Sequence, residues 1–247
     1  MSATAADVAA AERAVRVDLA ACYRLVDLNR LGDLTATHIS ARVPGEDAFL
    51  LNPHGLLFDE ITASSLVKVG FDGEVRGAGP RAFNPAGFNI HSAVLAARPD
   101  VACVIHTHTR AGMAVAAMRC GLLPISQHAM RFHRRIGVHE YEGMVLDRDE
   151  RARLAADLGP HHAMLLRNHG LLVAGRSVAE AFRLMHMLER ACQVQVDAMA
   201  AGADLALPSE SVCETTARQY ESFGTMGGRD WRAQLRRLDR LDPSYRD

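Results

Sequence analysis

Residues 100–115 read DVACVIHTHTRAGMAV and residues 164–175 read MLLRNHGLLVAG; these two stretches decide the fold. The first opens with the apolar run Val101 to Ile105, the length of a buried strand. His106 and His108 stand two apart at its end, and side chains at i and i+2 of a strand share a face, so both imidazoles can reach one ion. In the second stretch, AMLLR and LLVAG flank Asn168-His169-Gly170, which is hairpin chemistry. The two runs should pair antiparallel and carry His169 at their tip, the natural place for a third ligand. Three histidines with an open position form a catalytic rather than a structural zinc site, and nitrogen donors accept Fe(II) or Mn(II) as well.

Outward from this centre, residues 5–31 form an amphipathic helix, with Val15, Leu19, Cys22 and Val26 on one face. The runs THISARV, AFLLNP, LVKVGF and EVRGAG follow as short strands between turn residues. Asn84-Pro85 opens a second helix that stops before Pro99. Thr109 to Met118 read as helix, LLPIS (122–126) as strand, and Asp147 to Leu158 as a charged helix. Ser177 and Glu180 make a capping-box pattern before a long helix reaching about Met199. From Ser209 a helical tail carries Trp231, Leu235, Leu238 and Leu241 on one stripe. Helices before, between and after the strands predict an α/β protein, helices covering a mostly antiparallel sheet, as a single domain over 1–247 with 209–247 its helical tail.

The composition narrows the function. With 28 Lys and Arg against 29 Asp and Glu, no basic field is available for nucleic acid or an anionic membrane. No apolar run approaches the length of a membrane span, and the first residues lack a signal-peptide pattern. Five scattered cysteines without CxxC spacing are read as buried thiols of a cytoplasmic protein. Lys68 is the only lysine, placed in a strand, which disfavours imine chemistry. Strict βαβ alternation and a GxGxxG loop are both missing, which disfavours a dinucleotide fold. Twelve histidines remain as the place to look for chemistry.

The two quoted motifs at this separation resemble the class II aldolase and adducin head family, over about Val17 to Cys213. The resemblance implies a three-layer α/β/α fold with a central antiparallel sheet and a zinc site at His106, His108 and His169. It also implies sugar-phosphate aldolases, an epimerase, decarboxylases, iron oxygenases and the non-enzymatic adducin head as relatives. The catalytic carboxylate of the aldolases, four residues before the helix histidine His91, is Gly87 here, which resembles the adducin-like branch. The phosphate-wrapping turns are altered too: THIS, NPHG and Pro85-Ala86 place His38, His54 and Pro85 where small donors belong. The expected substrate is therefore unphosphorylated, with His38 and His54 among its contacts.

In place of the lost carboxylate, His128 stands where the resemblance puts an acid tyrosine, and a histidine's near-neutral pKa suits proton transfer. Glu140, Tyr141 and Glu142 form a second acid/base reserve. His91 is read as a core histidine that orients a ligand. Arg81 and Arg131 are candidates to clamp a substrate carboxylate. The resemblance further implies a homotetramer whose sites are finished by a neighbour, with Tyr220 entering as proton donor. The tail stripe, apolar and bordered by Arg232, Arg236, Arg237 and Arg240, reads as a seam that a monomer would gain little by exposing. The expected function is a metal-dependent lyase of aldolase or decarboxylase type. A non-catalytic adducin-like binding or oligomerisation module and an Fe(II)-dependent oxygenase are the alternatives.

Overall fold

The computed structural model describes residues 4–77, 82–145, 147, 149–223 and 227–247. Helix α1 (Ala5–Leu28) starts at a capping box, in which the Thr4 hydroxyl accepts the Asp7 N–H and the Asp7 carboxylate accepts the Thr4 N–H. Its Leu19, Cys22 and Val26 are fully buried, as their spacing requires. Strands β1 (His38–Arg42), β2 (Ala48–Leu51), β3 (Val67–Gly70) and β4 (Val75–Arg76) form an antiparallel meander. Helix α2 (Pro85–Ala97) follows, with Pro85 at its first position, where a missing N–H does no harm, and Asn84 as its cap. Next come β5 (Cys103–Thr107), α3 (Arg110–Ala117), the helical turn α4 (Gln127–Met130), β6 (Gly137–His139) and α5 (Glu150–Leu158). The chain ends with the hairpin β7 (Ala163–Leu166) and β8 (Gly170–Gly175), then α6 (Val178–Ala200), α7 (Glu210–Ser222) and α8 (Gly227–Leu241).

The strands build one eight-stranded sheet in the order β4-β3-β2-β1-β5-β8-β7-β6, antiparallel except between β6 and β7. Side chains alternate across it. Ile39, Ala41, Cys103, Ile105, Leu171 and Val173 enter a core with α1, α3, α6 and α8, whereas Val104, Leu172 and Ala174 enter another with α2 and α5. The result is a three-layer α/β/α sandwich around a mostly antiparallel sheet. Strand β5 lies mid-sheet between β1 and β8, with His106 opposite His38 on one side and Leu172 on the other. At the start of β8, Gly170 is required, because a Cβ there would stand 2.3 Å from the Thr107 carbonyl oxygen of β5.

Four local expectations are corrected. The run LLPIS is no strand: Pro124 lacks an N–H, and the Leu123 N–H is taken by the Gln195 side chain at 2.7 Å, which removes the segment from any ladder. The charged helix starts at Glu150 rather than Asp147, after a turn in which the Asp147 carboxylate accepts the Asp149 N–H. At α6 the Ser177 hydroxyl caps Glu180 N–H as expected, but the Glu180 carboxylate reaches the Arg176 N–H instead of closing the box. The tail stripe is not an open seam. Trp231 packs 5.7 Å from the Phe182 ring and donates its indole N–H to Asp18, Leu238 is buried, and α8 lies on the chain's own α1 and α6; Leu241 alone stays exposed. The stripe is therefore satisfied within one chain and gives no reason of its own for assembly.

Trp231→Ala should lower the unfolding free energy by about 3–5 kcal/mol in urea denaturation, the loss typical of a buried aromatic. A loss below about 0.5 kcal/mol, the surface value, would mean that the tail does not pack on this core.

Candidate metal centre

His106 is the penultimate residue of β5 and is 1% exposed. Its Nδ1–H donates to the Leu171 carbonyl at 2.9 Å, and since a carbonyl can only accept, the proton is on Nδ1 and Nε2 is a bare lone pair. His108, just past the strand, has Nδ1 3.1 Å from the Asp33 carboxylate, which fixes the same tautomer and leaves its Nε2 bare as well. These two Nε2 atoms face each other at 2.8 Å, and the Nε2 of His169, at the hairpin tip, lies 3.0 Å from that of His108. All three donor atoms lie within 4.8 Å of one another. Lone pairs aimed at one another without a proton between them repel, and a cation at their centre turns that repulsion into ligation. The donor set thus fits a divalent ion, and the Leu171 carbonyl and Asp33 orient the rings from behind. Burial keeps two of these imidazoles neutral: it drives His106 well below the usual histidine value and His169 down to about 4, with neighbouring histidines adding to both shifts. Asn168 turns the hairpin with a left-handed φ of 55°, a conformation asparagine tolerates.

Beside this triad lies a second, fully buried group. His38 Nδ1 is 2.7 Å from His91 Nε2, and His91 Nδ1 meets the Ser40 hydroxyl at 2.5 Å. The His38 ring is 5.0 Å from that of His106, centroid to centroid. A Cβ at Gly87 would stand 2.7 Å from His38 Cδ2 and 3.1 Å from its Nε2. His38 therefore fills the space in which a side chain at position 87 would begin, so the missing carboxylate and the unexpected histidine are one feature. When the Ser40 hydroxyl donates to His91, His91 donates onward to His38, and the His38 proton is on Nε2, facing that space. Burial holds both imidazoles well below the usual histidine value, and hence neutral. His91 orients His38; the ligands are oriented by other groups.

The remaining candidates divide in two. The loop after β6 lies against His169: the Tyr141 ring is 6.2 Å from it, edge to face, and Glu140 stands exposed, 3.6 Å from Arg167. Buried His139 anchors this loop between Asp157 at 2.7 Å and Glu150 at 3.2 Å, while Glu142 is held by Arg153. His128, Arg131 and Tyr220 lie elsewhere. His128 does not follow a strand but sits exposed on α4, beside a cavity that it shares with His186, Tyr220 and Asp230 and with none of the three ligands. The Arg131 guanidinium covers the Tyr220 ring at 5.3 Å. His54 is exposed in the turn after β2, and Arg81 falls outside the described residues. Lys68 is engaged by Glu12 and Glu46, away from the centre. Sequence reasoning missed Asp33 and Ser40. Asp33 is 75 residues from the histidine it orients, in a Gly-Asp turn with no distinguishing signal.

The family described as Class II Aldolase and Adducin N-terminal domain matches residues 17–196. A crystal structure of an aldolase II superfamily protein from Pseudomonas syringae is 50% identical with a TM-score of 0.92, over 96% of each chain. The L-fuculose 1-phosphate aldolase from Glaciozyma antarctica is 29% identical with a TM-score of 0.87, over 100% of this chain and 97% of that one. Rat alpha-adducin is 48% identical over 193 residues, 76% of this chain but 26% of the adducin.

A double-mutant cycle tests the pairing of Gly87 with His38. Gly→Ala in a helix ordinarily stabilises by up to about 1 kcal/mol. Here Gly87→Ala should destabilise in the native background and regain its ordinary sign in His38→Ala, a coupling of about 1–3 kcal/mol. Equal effects in both backgrounds would dissociate the two positions.

Proposed function

Since the chain belongs to the class II aldolase and adducin N-terminal domain family, we propose that it is a metal-dependent carbon–carbon lyase, of aldolase or decarboxylase type, acting on an unphosphorylated hydroxy-carbonyl or keto-acid substrate. The observation that carries this reading is the pair of bare Nε2 lone pairs on His106 and His108, 2.8 Å apart, with His169 beside them. Bound there, a divalent ion, zinc in the first instance with Fe(II) and Mn(II) as the other nitrogen-accepting choices, supplies a Lewis acid for substrate oxygens and stabilises the charge left by carbon–carbon cleavage. His38 donates its Nε2–H to a substrate oxygen from the space over Gly87, held in that tautomer by His91 and Ser40. Tyr141, whose ring is 6.2 Å from that of His169, and Glu140, which lines the same small hollow, are the proposed proton donors within the chain. His128, proposed as proton donor or extra ligand, shares its cavity with none of the three histidines of its own chain, and Tyr220 belongs to the same reading as a proton donor that a neighbouring copy contributes in a homotetramer.

The preference for an unphosphorylated substrate rests on the donors that a phosphate would need. The N-terminus of α2 offers little to an anion, because Pro85 has no N–H and Asn84 Oδ1 already takes the N–H groups of Ala86 and Gly87, at 3.0 and 3.4 Å. His38, bonded to His91 through Nδ1, offers the single Nε2–H and no second donor, and His54 points to solvent. A cytoplasmic location completes the reading, supported by five unpaired cysteines. Among the described residues, no helix is long and apolar enough to cross a membrane.

One observation favours a second reading. Gly87 leaves the centre without the family's carboxylate, and alpha-adducin is 48% identical to this chain over the matched region, so a metal-bearing module without catalysis is the alternative. A screen of zinc-, iron- and manganese-loaded protein against unphosphorylated hydroxy-keto acids separates the two. The lyase reading expects turnover of at least one such compound, abolished by chelation and in a His106→Ala, His108→Ala variant. Turnover of L-fuculose 1-phosphate on the order of 1–1000 per second would contradict the substrate class. Metal binding without cleavage of any compound would favour the module.

A further inference from the structure

Arg131 and Tyr220 were singled out as site residues, yet they meet in a cavity of about 660 Å³ bounded by the segment that follows α4, the start of β7, the first turns of α6 and the last turns of α7. Pro160 to His162, which precede β7, and Arg176, which follows β8, line it, so it opens at the end of the hairpin opposite His169. The six residues of β8 separate the two ends by about 17 Å at about 3.4 Å per residue. Within one chain this cavity is not part of the metal centre.

The arginines around it are unequal. Arg134 pairs with Glu210 at 2.9 Å, Arg135 with both Glu214 and Glu221, Arg183 with Asp230 at 3.1 Å, and Arg176 stands 3.9 Å from Glu180. Arg131 is the exception: among the described residues, its guanidinium has no hydrogen bond and no ion pair, only the Tyr220 ring against one face. It is half-buried, and burial together with the Arg183 charge lowers its pKa from the ordinary value. Five N–H donors in a planar fork are thus partly withdrawn from water with no acceptor in hydrogen-bond range, and the nearby Glu180 and Glu221 carboxylates, engaged by Arg176 and Arg135, act on the charge only from a distance. The fork matches a carboxylate or a phosphate bidentately. The rest of the wall supplies Phe132, Ala163, Leu184 and Ala217, and the volume falls in the range of metabolite pockets, which an inorganic ion alone would leave mostly unfilled.

We propose that this cavity is a second ligand site, separate from the histidine centre of its own chain, which binds a small organic anion with its carboxylate or phosphate head on Arg131 and its apolar body against Phe132, Leu184 and Tyr220.

Calorimetric titration of the full chain with benzoate, phenyl phosphate and inorganic phosphate, at fixed ionic strength, tests this and tells the two head groups apart. Benzoate or phenyl phosphate should bind saturably at one per chain, and inorganic phosphate at least about tenfold more weakly. Arg131→Met should weaken the organic anion by about tenfold or more without lowering the melting midpoint of the free protein, because it removes an unpaired, half-buried charge. Arg131→Lys, which keeps the charge and loses the fork, provides a second variant and should show intermediate affinity. Binding should persist in the His106→Ala, His108→Ala variant, so that this site and the lyase reading stand or fall separately. Absence of saturable binding by both organic anions, unchanged affinity in both Arg131 variants, or loss of binding in the double-histidine variant would overturn the proposal.

Discussion

The register of β5 between β1 and β8 is the constraint on which the rest depends. Thr107 opposite Leu171 brings the end of β5 beside the hairpin tip, and that places His106, His108 and His169 around one point. On the other edge, His38 falls directly opposite His106. A slip of one residue would turn His106 into the core shared with α6 and put Ile105 or Thr107 at the centre. Two features hold the register. Gly170 permits the close approach to the Thr107 carbonyl, and the alternation of Cys103 and Ile105 with Val104 commits each face of β5 to its own core.

Polar groups in this layer are bonded in a definite order. The Leu171 carbonyl, a backbone group of the neighbouring strand, serves as the acceptor that fixes the tautomer of His106, so the sheet itself aims the ligand. Next to it, Ser40, His91 and His38 form a chain whose last ring takes the volume vacated at Gly87. A buried polar chain of this kind tolerates no half-measures, since each unpaired member would bear the full cost of its desolvation. The pairing of Gly87 with His38 is therefore a property of the whole layer: it places a neutral hydrogen-bonding group beside His106.

Much of this was legible in the sequence because it lay in local patterns. The i, i+2 spacing of His106 and His108, the Asn168-His169-Gly170 tip, the Asn84-Pro85 start of α2 and the Leu19, Cys22, Val26 face all depend on neighbours a few residues apart. The rest depended on contacts distant in sequence. Asp33 acquires its meaning only through His108, and the significance of His38 only through Gly87, 49 positions along. LLPIS has strand composition, but the side chain of Gln195 on α6 captured its backbone. The tail stripe was correctly read as apolar and assigned to the wrong partner, because amphipathicity tells which face is covered without telling by what.

X-ray absorption spectroscopy of the zinc- or cobalt-loaded chain addresses the central claim most directly, since it counts the ligands instead of inferring them from activity. The account predicts one ion per chain with three imidazole nitrogens at about 2.0–2.1 Å and at least one exchangeable oxygen in the open position. A shell of oxygen donors with no imidazole scattering, or an unchanged spectrum in the His106→Ala, His108→Ala variant, would contradict it.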